Sequence, residues 1–112
     1  MTAGAAAPGR VRVIRLLRVR EGMEERFVRS YDDVRAAAAG FPGHLGEQLC
    51  RSLDDPSQWL LTSEWSGLEA VRRWRTAPAH QALVGPMNAC LHDDRWTGVF
   101  RVGETAKETA DA

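Results

Sequence analysis

Residues 11–20, Val-Arg-Val-Ile-Arg-Leu-Leu-Arg-Val-Arg, constrain the fold more than any other stretch of this chain. The β-branched content predicts a strand. Its odd positions are Val11, Val13, Arg15, Leu17 and Val19, and its even ones include Ile14 and Leu16, so both faces are apolar near the middle. Such a strand belongs in the interior of a sheet with cover on both sides. Glu21-Gly22 ends it. Met23, Phe27, Tyr31, Val34 and Ala38 follow at spacings of four, four, three and four. That is the apolar stripe of an amphipathic helix, and Gly40-Phe-Pro-Gly43 stops it.

Two strands are expected next, at 44–53 and 58–65, around the turn sequence Asp54-Asp-Pro-Ser57. The simplest register sets Ser52 opposite Trp59, Cys50 opposite Leu61, Gln48 opposite Ser63 and Gly46 opposite Trp65. Leu45, Leu49 and Leu53 then share the other face with Leu60 and Thr62. A slip of one residue would reverse these faces. Ser66-Gly-Leu-Glu69 reads as a capping box opening a short helix to about Trp74. Pro78 suits the first position of a further helix, whose stripe is His80, Leu83, Val84, Met87 and Leu91, kinked or split at Gly85-Pro86. Residues 96–102 form the last strand.

The order strand, helix, strand, strand, helical region, strand predicts an α+β, ferredoxin-like split βαβ domain with a four-stranded antiparallel sheet. Its expected span is 10–102, between flexible tails at 1–9 and 103–112. Helices cover one sheet face. The other, carrying Ile14, Leu16, Leu45, Leu49 and Leu60, is too apolar to leave in water. A homodimer joined sheet to sheet is therefore expected.

Fifteen basic residues balance 15 acidic ones in 112 residues, which argues against a nucleic-acid partner. No apolar run approaches the roughly 20 residues of a membrane span. The start, MTAGAAAPGR, lacks the basic opening and leucine-rich middle of a signal peptide. Cys50 and Cys90 form no CxxC pair, so the expectation is a cytoplasmic protein with free thiols and neither a disulfide framework nor a zinc site. There is no GxGxxG motif for a Rossmann-bound nucleotide.

Pro42-Gly-His-Leu-Gly46, Ser52-Leu-Asp-Asp-Pro56, Ser63-Glu-Trp65, and Trp74 followed by Pro78-Ala-His80 together resemble the antibiotic biosynthesis monooxygenase family of dimeric α+β barrels. The resemblance implies an oxygenase acting on an aromatic polyketide in antibiotic or pigment biosynthesis, by hydroxylation, quinone formation or oxidative C–C cleavage. It implies molecular oxygen without metal, and either no organic cofactor or reduced flavin; a flavin reductase is the implied partner in the second case. In anthrone-oxidising members the strand-end Trp has an Asn four residues earlier and, in some, a Tyr six later; Leu61 and Val71 stand there. In haem-degrading members Asn and a ligating His stand where this chain has Arg15 and about Val84, so haem is not expected. The segments resemble most the branch that cleaves rings of angucycline-type polyketides. A non-catalytic polyketide-binding dimer and a cyclase of the same fold are the alternatives.

With the register above, Arg15, His44, Gln48, Cys50, Trp59, Leu61, Ser63 and Trp65 meet under the helices with the stripe beginning at His80. Polar groups around large aromatics make an aromatic-ligand cavity, so Arg15, Gln48, Trp59, Leu61 and Ser63 are candidate substrate contacts. His80, near a helix N-terminus on an apolar stripe, is expected to be a neutral imidazole able to act as general base, with His44 as its rival. Trp65 is expected to stack on the substrate. His92-x-Asp94 has iron-ligand spacing but no supporting scaffold.

Overall fold

A computed structural model describes residues 9–103. The tails expected at 1–9 and 103–112 fall outside those residues except for Gly9 and Gly103. The elements run β1 (Val11–Arg18), α1 (Glu24–Ala39), β2 (His44–Arg51), β3 (Gln58–Trp65), α2 (Leu68–Thr76), α3 (Pro78–Asn88) and β4 (Trp96–Arg101). The sheet is antiparallel in the order β2-β3-β1-β4, with β1 inside it. This is the ferredoxin-like α+β arrangement.

The odd residues of β1 face the helices: Val11, Val13 and Leu17, with Val19 just past the strand, join Phe27, Tyr31, Val34 and Ala38 of α1 in one core with Trp59, Leu61 and Trp65 of β3. The four α1 residues lie at spacings that put them on one face, which is why that helix docks as it does. α3 begins on Pro78 and continues through Pro86 to Asn88, so the Gly85-Pro86 step does not split it. The expected capping box is not formed either. Gly67 is the N-cap of α2 without a side-chain cap bond, and Ser66 N–H donates instead to the Gly43 carbonyl at 2.7 Å.

The β2–β3 register differs from the simplest one by one residue. Glu47 lies opposite Ser63, Leu49 opposite Leu61 and Arg51 opposite Trp59. The cause is local. Ser52 Oγ accepts hydrogen bonds from the N–H groups of Asp54 and Asp55, at 3.1 and 3.0 Å, which draws Leu53 out of the strand and into the loop. Leu49 consequently packs against the core rather than on the open face, while Gln48 and Cys50 turn away from the helices. A second irregularity follows at Gly46, whose φ of 156° lies where L side chains are strained. The register shift there sets His44 opposite Trp65 and Gly46 opposite Glu64. Through this bulge His44 and Glu47, three apart, reach the same side of the sheet.

The face away from the helices carries Ile14, Leu16, Leu60, Trp96 and Phe100 by register. Leu16, Trp96 and Phe100 are 38%, 48% and 47% exposed.

Candidate functional site

Between the sheet and the helices lies a cavity of about 550 Å³, a size suited to a small polycyclic molecule. β1 supplies Val13 and Arg15; β3 supplies Leu61, Ser63 and Trp65; β2 supplies Glu47. Trp74, Arg75, His80, Val84 and Asn88 come from the α2–α3 region, and β4 closes one side with Thr97, Gly98 and Val99. The walls are mostly apolar, with polar groups at separate points.

The aromatic wall is built in layers. Trp65 stacks on Trp74, with centroids 6.1 Å apart and planes at 29°. Phe41 meets both indoles edge-on, at 6.4 and 5.2 Å. The imidazoles cap this group from either end: His44 lies 4.9 Å from Trp65 and His80 5.0 Å from Trp74, both edge to face. Trp65 Nε1–H donates to Ser63 Oγ at 2.9 Å. With each neighbour fixing the next, these rings have little rotamer freedom, so the wall is preformed.

At one end, His80 Nδ1 is buried without a hydrogen-bond partner. Burial, then the positive charge of Arg15, holds the imidazole below the usual histidine range, against a weaker opposing effect of the Arg75 carbonyl. His80 is thus a neutral ring at neutral pH with a nitrogen free to accept or share a proton. Arg15 reaches the same end, where its Nη2 donates to Asn88 Oδ1 at a long 3.4 Å. Burial, then the nearby guanidinium groups of Arg95 and Arg75, pushes its pKa down.

At the other end, His44 Nε2 and Glu47 Oε1 are 3.0 Å apart, with both side chains only 7% exposed. Tyr31 Oη is buried beside this pair without closing a hydrogen bond of ordinary geometry. Burial first, and then the Glu47 carboxylate, raises the phenol far above its ordinary range. Glu47 has no place among the residues read from sequence. The signal that identifies it is Gly46, a glycine inside a strand pattern, which marks a bulge and so a change of face.

Of the residues expected at the site, Arg15, Leu61, Ser63, Trp65 and His80 line the cavity. His44 adjoins it through Trp65 and Glu47. Gln48 and Cys50 do not, because the register slip turns both toward the open face, where both are exposed. Trp59 shares the helix-covered face but lies at the far end of β3, packed edge-on against Phe27 at 5.3 Å under the guanidinium of Arg51 at 4.8 Å. Trp74, at the end of the short helix expected from sequence, is both core and cavity wall. Among the described residues no three His, Cys, Asp or Glu side chains converge as a metal site, and no helix is long and apolar enough to cross a membrane.

Comparison with solved structures finds the same fold in SnoaB, a cofactor-independent oxygenase from Streptomyces nogalater, with a TM-score of 0.78 at 20% identity over 88% of this chain and 97% of that one. A conserved protein from Methanosarcina mazei superimposes with a TM-score of 0.80 at 12% identity over the same shares. In sequence, a 42.8 kDa protein in the whiE locus of Streptomyces coelicolor is 42% identical over 84 residues, 75% of this chain and 21% of its own length. Protein SchA of Streptomyces halstedii is 34% identical over 92% of this chain and 27% of its own length. Polyketide synthase CurD of Streptomyces cyaneus is 37% identical over 77% of this chain and 23% of its own. The chain therefore spans about a fifth to a quarter of the curated relatives it matches. The family model described as antibiotic biosynthesis monooxygenase matches residues 10–85. With the fold, the relatives and that match in agreement, this chain belongs to the antibiotic biosynthesis monooxygenase family.

Proposed function

We propose that this chain is an oxygenase that oxidises an aromatic polyketide intermediate with molecular oxygen. The observation that carries this reading is the meeting of a preformed Trp65–Trp74 wall with a neutral imidazole, His80, whose Nδ1 has no hydrogen-bond partner, and a guanidinium, Arg15, in one cavity. Relatives named for a polyketide synthase and a cofactor-independent oxygenase support it.

The chemistry needs a base and a shaped, dry cavity. His80 Nδ1 takes a phenolic or benzylic proton, and the electron pair stays on the ring system as an anion delocalised toward Arg15. The electron-rich anion passes an electron to dioxygen, and recombination forms a C–O bond and a hydroperoxide. Loss of water leaves a carbonyl, so that CH2 and O2 become C=O and H2O with both electron pairs drawn from the substrate. Trp65 and Trp74 hold the rings, Leu61 and Val84 exclude water, and Ser63 fixes the Trp65 indole. His44 acts through Trp65 and Glu47, as a positioning residue.

The active species in this reading is a homodimer whose open sheet faces, with Leu16, Trp96 and Phe100, cover each other. Oxygen uptake with a hydroxyanthrone or an angucyclinone, with and without reduced flavin, tests the reading. Uptake without flavin supports the direct reaction, and uptake only with reduced flavin supports the flavin-assisted one. Binding without uptake would make the domain a polyketide carrier, and a product of unchanged oxidation level would make it a cyclase.

A further inference from the structure

Arg15 is the feature of the cavity that the fold leaves unresolved. It stands in the middle of the central strand, opposite Leu61 on one side and Thr97 on the other, on the helix-covered face. Arg15 is half-buried, and a guanidinium drawn partly out of water normally has a carboxylate partner, because desolvating a cation is costly unless it is paired. Arg15 has none among the described residues. Its one side-chain hydrogen bond runs to a neutral amide oxygen, Asn88 Oδ1, at 3.4 Å. The charges that act on it are those of Arg75 and Arg95, which repel it. Arg75 lines the same cavity, and His80 beside it also feels the Arg15 charge. The acid in the cavity wall, Glu47, is two strands away across β3, about 12 Å by strand spacing and rise, and is paired with His44. One end of the cavity is thus positive and unneutralised, and the other end is acidic.

We propose that the Arg15 end is a carboxylate-binding subsite, and that the aromatic substrate carries a carboxylate there, on the opposite side of the ring system from Glu47. This rests on the reading of the cavity as an aromatic-substrate site and names the class of that substrate. A ring carboxylate fits the arrangement better than a phenol. With a pKa near 4 it arrives already ionised, whereas a phenol must be ionised about three pH units below its own pKa. The guanidinium fork of Arg15 matches two carboxylate oxygens. Arg75, exposed and lining the same cavity, adds a second positive charge. The Glu47 end repels the same carboxylate, so the ligand enters in one orientation. Hydroxyl groups at its far end face the acceptor oxygens of Glu47.

The test uses anthraquinone-2-carboxylic acid and its carboxamide, flat probes of nearly the same shape that differ by one charge. Their affinities are measured by quenching of tryptophan fluorescence and by calorimetry. The acid should bind more tightly than the amide by on the order of 10–100-fold, the scale of a charge-assisted hydrogen bond in a desolvated site. Arg15→Gln should erase that preference while changing the amide's affinity less than about threefold, and Arg15→Lys should keep part of it, since the charge remains and the fork is lost. Equal binding of acid and amide to the unaltered protein would overturn the proposal while leaving an aromatic site in place, as would a preference that survives Arg15→Gln. Binding of neither probe would overturn both the proposal and the aromatic reading. Because the acid-to-amide ratio is read first on the unaltered protein, the test stands even if the Arg15 variants fold poorly.

Discussion

Trp65 is the residue through which the cavity and the core are one structure, so truncating it registers directly in stability. Its side chain is 2% exposed, stacks on Trp74 at 6.1 Å, meets Phe41 and His44 edge-on and donates to Ser63 Oγ at 2.9 Å. Trp65→Ala removes the ring from all four partners and leaves a void continuous with the existing cavity, a loss of about 3–5 kcal/mol. Against a total stability of about 5–15 kcal/mol for a small domain, that lowers the melting temperature by on the order of 20 °C. Trp65→Phe keeps an aromatic ring in the layer and loses mainly the indole N–H, at a cost of about 1–2 kcal/mol. Thermal unfolding followed by far-ultraviolet circular dichroism distinguishes the two. A Trp65→Ala protein melting within a few degrees of the unaltered one would refute the layered wall, since a ring that merely faced a ligand would cost little to remove.

The remaining predictions bear on separate parts of the molecule. Sedimentation of the unaltered protein at micromolar concentration should show a dimer, and Leu16→Glu on the open face should give a folded monomer; Leu49→Glu, which places a charge in the core under the helices, should unfold the chain instead. His80→Ala should preserve probe affinity but lower turnover by about 10²–10⁴-fold. Because burial and Arg15 hold His80 below the usual histidine range, its neutral form persists to lower pH, so the acid limb of the wild-type rate profile should lie below pH 6.5 and vanish in the variant. Arg18 and Ser57 hold Asp55 at about 2, so an NMR titration should find it ionised well into acid. The ionised form is the one bound, so this tie between β1 and the β2–β3 loop is intact above the ordinary carboxylate range and fades as pH falls toward 2.

The order of elements was legible because each signal was local and strong: the two-faced strand at 11–18, the spacing from Met23 to Ala38, and Pro78 opening a helix. Most of the site followed from alternation along β1 and β3, which puts Arg15, Leu61, Ser63 and Trp65 on one side. The side chains of β2 did not follow, and the reason is physical. A strand's faces depend on counting by twos from a fixed point, and two departures in eight residues upset that count. The Ser52 hydroxyl captured the N–H groups of Asp54 and Asp55 and lengthened the loop by one residue, and Gly46 adopted a bulge. Glu47 thereby took the place expected for Gln48, and Leu49 exchanged the open face for the core. Trp59 was placed on the correct face, but alternation does not say how far along a strand a cavity extends, and Phe27 and Arg51 occupy the space around it.

The central claim is that this cavity brings an aromatic polyketide and dioxygen to reaction. It is tested most directly by turnover under ¹⁸O₂ with a hydroxyanthrone, followed by mass spectrometry of the product. One heavy oxygen atom is expected in the new carbonyl, formed in proportion to enzyme and lost with His80→Ala. A product carrying oxygen only from water, or a labelled product formed equally fast by the His80→Ala protein, would contradict it.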